Sequence, residues 1–134
     1  MSTTPMVELM ADKLAIREVL EEYCLRLEVN TFEEWLDLFT SDSVYEVYGK
    51  TLHGRQEIAD MLSKAPHGIH LGGPMRIEID GDTAETIQNY AFYGDNAKYS
   101  NKGWYYRSLV CTDQGWKISR TRVEFQKSEE KSPG

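Results

Sequence analysis

Apolar and polar positions repeat with a helical period in the first third of the chain and alternate residue by residue beyond Gly68. Ile16, Val19, Leu20, Tyr23 and Leu27 recur at steps of three and four, opposite Arg17, Glu18, Glu21, Glu22 and Arg26. That spacing predicts an amphipathic helix ending near 28–30. Asp12 is expected to cap its start, with residues 1–8 as a flexible lead-in. Thr31 and Glu34 have capping-box spacing and open a second helix over 32–39, with Phe32, Trp35, Leu36 and Phe39 inward. A loop over 40–43 leads to a strand over 44–48, a turn at Gly49-Lys50 and a short partner over 51–53. Gly54 opens a third helix with Ile58, Met61 and Leu62 as its apolar stripe, and Pro66 and Gly68 end it.

The stretch from Gly68 is extended, with His70 near its start, and becomes a regular strand where Met75, Ile77 and Ile79 alternate with Arg76, Glu78 and Asp80. Asp80-Gly81-Asp82 is a hairpin turn. A strand over 83–93, a polar loop over 94–102, a strand over 103–112, a turn at Asp113-Gln114-Gly115 and a last strand over 116–125 follow. The tail, 127–134, is expected to be disordered. Helices segregated ahead of a meandering antiparallel sheet predict an α+β fold in one domain over 9–126. A strongly curved sheet wrapped around the early helices would enclose a cone-shaped cavity, the usual form of a ligand site.

Charge and composition narrow the function. A net charge of −7 argues against a nucleic-acid or anionic-membrane surface. No apolar run reaches the roughly 18 residues of a membrane span. The N-terminus carries no secretory pattern, and the isolated Cys24 and Cys111 read as reduced thiols, so a cytoplasmic protein is expected. Dinucleotide, P-loop and HExxH motifs and clustered metal ligands are missing from the sequence, so neither metal nor cofactor is expected. Trp104, Tyr106 and Trp116 are expected on an outer sheet face that pairs copies of the chain into a dimer or trimer.

Several segments carry a resemblance: 11–18, Tyr23 five residues before Glu28, 35–42, His53-Gly54-Arg55-Gln56-Glu57-Ile58, His70 with Pro74, 80–84 and 113–118. Together they resemble the SnoaL-like branch of the NTF2-like (cystatin-like α+β barrel) superfamily, over about residues 9–126. The resemblance implies a cone of three helices packed in a curved sheet. Its nearest functional pattern is that of scytalone dehydratase, bile-acid dehydratase and dehydrochlorinase members, which use an Asp–His pair in the cone. Carried over by position, the histidine falls on His70, the acid on Glu28 and a further tyrosine on Tyr23. Where that pattern has Asp this chain has Glu, one methylene longer.

The chemistry follows from these residue types. A carboxylate on one imidazole nitrogen fixes the tautomer and stabilises the imidazolium formed at the other. Tyr23 or Tyr45 would then protonate a leaving hydroxyl or polarise a carbonyl. The reading is a cofactor-independent lyase or isomerase acting on a small cyclic, steroid- or polyketide-like or halogenated substrate. His70 is the base, Glu28 its orienter and Tyr23 the donor, with Tyr45, Gln88, Tyr105, Trp35 and Arg107 as candidate substrate contacts. Each has a plainer reading: His70 as a structural histidine, Glu28 as a solvated carboxylate, Tyr23 as core, Arg107 as a rim or interface charge. His53 and His67 are read as loop residues. The alternatives are a non-catalytic binder of small hydrophobic ligands, or an epoxide hydrolase or cyclase-type member.

Overall fold

In a computed structural model of the chain, which describes residues 3–29, 31–95 and 99–126, a long helix lies against a six-stranded sheet. The tail 127–134, the middle of the polar loop (96–98), Asn30 and the side chain of Phe32 lie outside the described residues. The helix, α1 (Thr3–Val29), starts within the stretch read as a lead-in. Ile16, Leu20 and Tyr23 are at most 1% exposed, so the expected face is the buried one. Asp12 caps nothing: it lies inside α1, and its Oδ1 accepts a hydrogen bond from Trp116 Nε1 at 3.3 Å. That bond holds Trp116 buried beneath α1, not on the outer sheet face where the sequence reading put it.

The second helix, α2 (Phe32–Leu36), opens as expected, with the Glu34 amide donating to Thr31 Oγ1 at 3.2 Å. It closes three residues early. The chain turns at Leu38, whose carbonyl accepts from the Ile118 amide at 2.8 Å. From there Phe39 enters the sheet, so 40–43 is no loop but part of β1 (Phe39–Val47). Ser43 is fully buried and donates to the Ile118 carbonyl at 3.0 Å, so this polar stretch is fixed by tertiary pairing that overrides its loop-like composition.

A turn at Tyr48-Gly49, both in the left-handed region, leads to β2 (Lys50–His53) and α3 (Gly54–Ser63). Four long strands follow: β3 (Gly68–Asp80), β4 (Thr83–Gly94), β5 (Ser100–Thr112) and β6 (Gly115–Phe125). The order is β2-β1-β6-β5-β4-β3. All neighbours are antiparallel except β1 and β6, which run parallel, so the sheet is mixed where an antiparallel one was expected. β5 also begins earlier than read, because Asn101 and Ser100 pair with Phe92 and Tyr93.

Register decides what the concave face carries. One row across the sheet runs Ile77, Thr86, Arg107, Thr121, Tyr45. The next is Met75, Gln88, Tyr105, Val123, and a row at the open end is His70, Phe92, Asn101. With a side-chain period of two, every member of a row faces the same side. Both cysteines are free, Cys24 buried and Cys111 exposed. Among the described residues no helix is long and apolar enough to cross a membrane.

Candidate functional site

The concave face and α1 enclose a cavity of about 830 Å³, counted out to its open mouth. Tyr23, Tyr45, His70, Tyr90, Phe92 and Tyr105 line it. At the inner end the Tyr23 and Tyr45 hydroxyls meet at 2.5 Å. Tyr23 is set there by the buried stripe of α1, and by Trp35 behind it, whose Nε1 donates to the Tyr23 carbonyl at 3.1 Å. Tyr45 arrives from β1, in the row of Arg107. Burial pushes the pKa of both phenols up, with Arg107 acting in the opposite sense, so both are neutral hydrogen-bond donors.

Arg107 is not the rim charge the sequence suggested. It is 1% exposed, and its guanidinium carbon lies 4.1 Å from the Tyr23 ring centre and 3.9 Å from that of Tyr105. Nη1 donates to Gln88 Oε1 at 2.9 Å, while Nε and Nη2 are buried with no hydrogen-bond partner. The ion pairs of the described residues belong to Arg26, Arg120 and Arg122. Gln88 in turn donates from Nε2 to the Gly73 carbonyl at 3.3 Å. That reach requires a glycine at position 72, where an added Cβ would stand 2.5 Å from the Gln88 nitrogen.

His70 faces the cavity at the start of β3, its ring 4.6 Å from that of Phe92. Its pKa falls to about 4, first because burial disfavours the imidazolium and second because Arg107 repels it. The expected carboxylate–imidazole bond is not formed. Glu28, exposed at the end of α1, accepts from the His70 backbone amide at 3.4 Å, and the ring Nδ1 is buried without a partner. The Glu28 carboxylate thus meets the strand backbone and not the ring.

Of the residues singled out from sequence, Tyr23, Tyr45, His70 and Tyr105 come together around the cavity. Arg107, Gln88 and Trp35 stand behind its wall, and Glu28 lies outside it. His67, read as a loop residue, lines the mouth, while His53 ends β2. Sequence reasoning missed the rim, where Tyr48 and Tyr99 hydroxyls stand 3.4 Å apart and Tyr90 donates to Asn101 at 2.6 Å. The Tyr48 pKa rises to about 12, through burial first and its Tyr99 contact second. Tyr90 and Phe92 were legible as face-mates of Gln88; Tyr99 sits in a stretch whose polarity reads as loop, and Tyr48, expected as the last residue of a strand, stands in the turn after it.

A model of the SnoaL-like domain matches residues 8–122. A protein of unknown function from Mycobacterium tuberculosis, Rv3472, solved as a variant with one aspartate changed to asparagine, is 26% identical in sequence to this chain. Its structure superposes with a TM-score of 0.85, covering 96% of this chain and 80% of its own. An NTF2-like protein with a cystatin-like fold from Novosphingobium aromaticivorans superposes with a TM-score of 0.83 at 20% identity, over 94% and 89% of the two chains. A hexachlorocyclohexane dehydrochlorinase of Novosphingobium barchaimii gives 0.79 at 18% identity, over 90% of each chain. Below a quarter identity such likeness establishes the fold, and activity has to be argued from the site.

Proposed function

We propose that this chain, which belongs to the SnoaL-like domain family, is a cofactor-independent lyase or isomerase acting on a small, largely apolar ring compound that bears an oxygen function. The observation that carries this reading is the Tyr23–Tyr45 hydroxyl pair, 2.5 Å apart, in the same cavity as an unpartnered His70 ring. The dehydrochlorinase among the structural neighbours lends it support by fold alone.

In this reading the neutral imidazole of His70 takes a proton from a carbon next to a carbonyl or a leaving group. Negative charge then develops on the substrate oxygen, where the tyrosine pair donates a hydrogen bond. Reprotonation at another carbon gives isomerisation; loss of the leaving group gives elimination. Glu28 holds the backbone of His70 at the strand start and so sets the ring's position indirectly.

The test is hydrogen exchange in D2O. Wild type should label the α-carbon of a bound ring ketone such as 2-tetralone, followed by NMR, and the His70→Ala variant should lose that labelling while melting within a few degrees of wild type. Labelling that survives in His70→Ala contradicts the assignment of the base.

One observation favours a second reading, a non-catalytic binder of small hydrophobic ligands. An imidazole with a pKa near 4 and no carboxylate on its ring is a weak base. A ring ketone that stabilises wild type and His70→Ala alike, with no labelling in either, selects this alternative.

We further infer that copies of the chain assemble through the outer sheet face, as dimer or trimer. Trp104 and Tyr106 stand there, on the same face as the exposed Ile69, Leu71 and Tyr93. Sedimentation of wild type and of Leu71→Lys tests it: wild type should sediment as an oligomer and the variant as a monomer.

A further inference from the structure

We propose that the Tyr48 and Tyr99 hydroxyls form a second polar subsite at the mouth of the cavity, which takes a carbonyl oxygen at the outer end of the ligand. This subsite rests on the reading of the cavity as the working site, and it makes the substrate a compound with an oxygen function at both ends.

The backbone singles out Tyr48. Val47 pairs with Lys50, so Tyr48 and Gly49 alone form the turn between β1 and β2, with φ of 55° and 72°. Positive φ at both positions of a two-residue turn suits Asn-Gly or Gly-Gly, and a bulky side chain at the first position is strained. Among the described residues Tyr48 is the one non-glycine with positive φ. Burial does not explain the choice, because the side chain is 62% exposed. Its ring stacks on Phe125 with centres 5.0 Å apart, and its hydroxyl stands 3.4 Å from that of Tyr99. Both tyrosines line the cavity. Backbone strain of this kind is kept where the side chain serves a site.

The opposite side of the mouth is held by a chain of hydrogen bonds. Tyr90 donates to Asn101 Oδ1 at 2.6 Å, and Asn101 Nδ2 donates to the Tyr99 oxygen at 3.0 Å. Because that oxygen already accepts, the Tyr99 proton points away from Asn101. The 3.4 Å between the Tyr48 and Tyr99 oxygens is longer than the usual hydroxyl–hydroxyl bond of about 2.7–2.8 Å. Both protons are therefore free to turn to one further oxygen, unlike those of Tyr23 and Tyr45, whose oxygens stand 2.5 Å apart.

The donors select the group. A carbonyl oxygen has two lone pairs and accepts from both hydroxyls. No lysine or arginine is among the described residues that line the cavity, so an anionic group would find no ion-pair partner in the wall. Register sets the length. Tyr105, in edge contact with Tyr23, and Asn101, which holds Tyr99, are four residues apart on β5, roughly 13 Å of strand. A ligand that touches both hydroxyl pairs is thus longer than a single ring. Between the two ends Tyr90, stacked on Tyr105 at 4.3 Å, and Val123 supply an apolar wall for its rings.

The probes are two diketones, decalin-2,6-dione and androstane-3,17-dione, each with its monoketone, 2-decalone and androstan-3-one, compared by calorimetric titration. In at least one ring system wild type should bind the diketone at least about fivefold tighter than the monoketone, beyond the about twofold that two orientations supply by themselves. Tyr48→Phe keeps the ring on Phe125 and Tyr99→Phe keeps its ring at the mouth, and each should reduce the preference to that orientational remainder. Tyr48→Asn, which suits the turn better, should act as Tyr48→Phe does. A preference absent from both ring systems, or one that survives in either phenylalanine variant, overturns the proposal. A diketone preference without any α-carbon exchange would sink the lyase or isomerase reading and leave this subsite standing. Exchange without a diketone preference would do the reverse.

Discussion

The carboxylate of Glu28 meets His70 at its backbone amide, at 3.4 Å, and leaves the imidazole without a carboxylate partner. The ring's protonation is therefore governed by burial and by Arg107. Glu28→Gln, which keeps an acceptor for the amide, should leave the His70 ring pKa within about half a unit of wild type. A fall of a unit or more, read by NMR, would show that the carboxylate acts on the ring after all.

Acid stability carries the same signature. The folded-state pKa of His70, about 4, lies below the unfolded value of 6.5. Between those values the unfolded chain binds a proton that the folded chain refuses. Stability from this residue is thus complete above about pH 6.5 and is lost as pH falls toward 4. His70→Gln should flatten that part of the curve in denaturant titrations at several pH values, whereas an unchanged slope would mean that His70 titrates normally in the folded protein.

Arg107 should act on His70 through space. Arg107→Met removes the charge and should raise the His70 pKa, because one of its two depressing causes is gone. Replacing a buried, incompletely paired cation by an apolar side chain of similar length is expected to be neutral or to stabilise the fold by about 1–4 kcal/mol. A loss of several kcal/mol in urea unfolding would mean that Arg107 has a partner that holds the core together.

The tyrosine pair is a coupled unit. Tyr45→Phe leaves the Tyr23 hydroxyl buried without its 2.5 Å partner and should cost about 1–3 kcal/mol. Adding Tyr23→Phe should recover part of that loss, so the double-mutant cycle is non-additive. Additive losses in thermal or chemical unfolding would argue that the two hydroxyls do not depend on each other.

Much of this was legible in the sequence because period dictates face. The steps of Ile16, Leu20 and Tyr23 turned Tyr23 inward, and the alternation through Gln88, Tyr90 and Phe92 placed those side chains on one surface. Arg107 shares the period of Tyr105, which is buried, and that placed it inside too; its charge argued for the rim and prevailed in the reading. The 40–43 segment was lost for another reason. It is held by parallel pairing with β6 on either side of it, at Phe39 and Val44, and by the Ser43 bond to Ile118, 75 residues away, contacts that no local pattern encodes. The Glu28–His70 relationship is of the same kind. Position along the chain brought the two together, but it did not specify which part of His70 the carboxylate would reach.

The most direct measurement is the NMR pH titration of the His70 ring in the wild-type protein. The account predicts a ring that is neutral at physiological pH, titrating near pH 4. A ring that titrates above 6.5 would contradict a cavity in which burial and the charge of Arg107 keep the imidazole neutral.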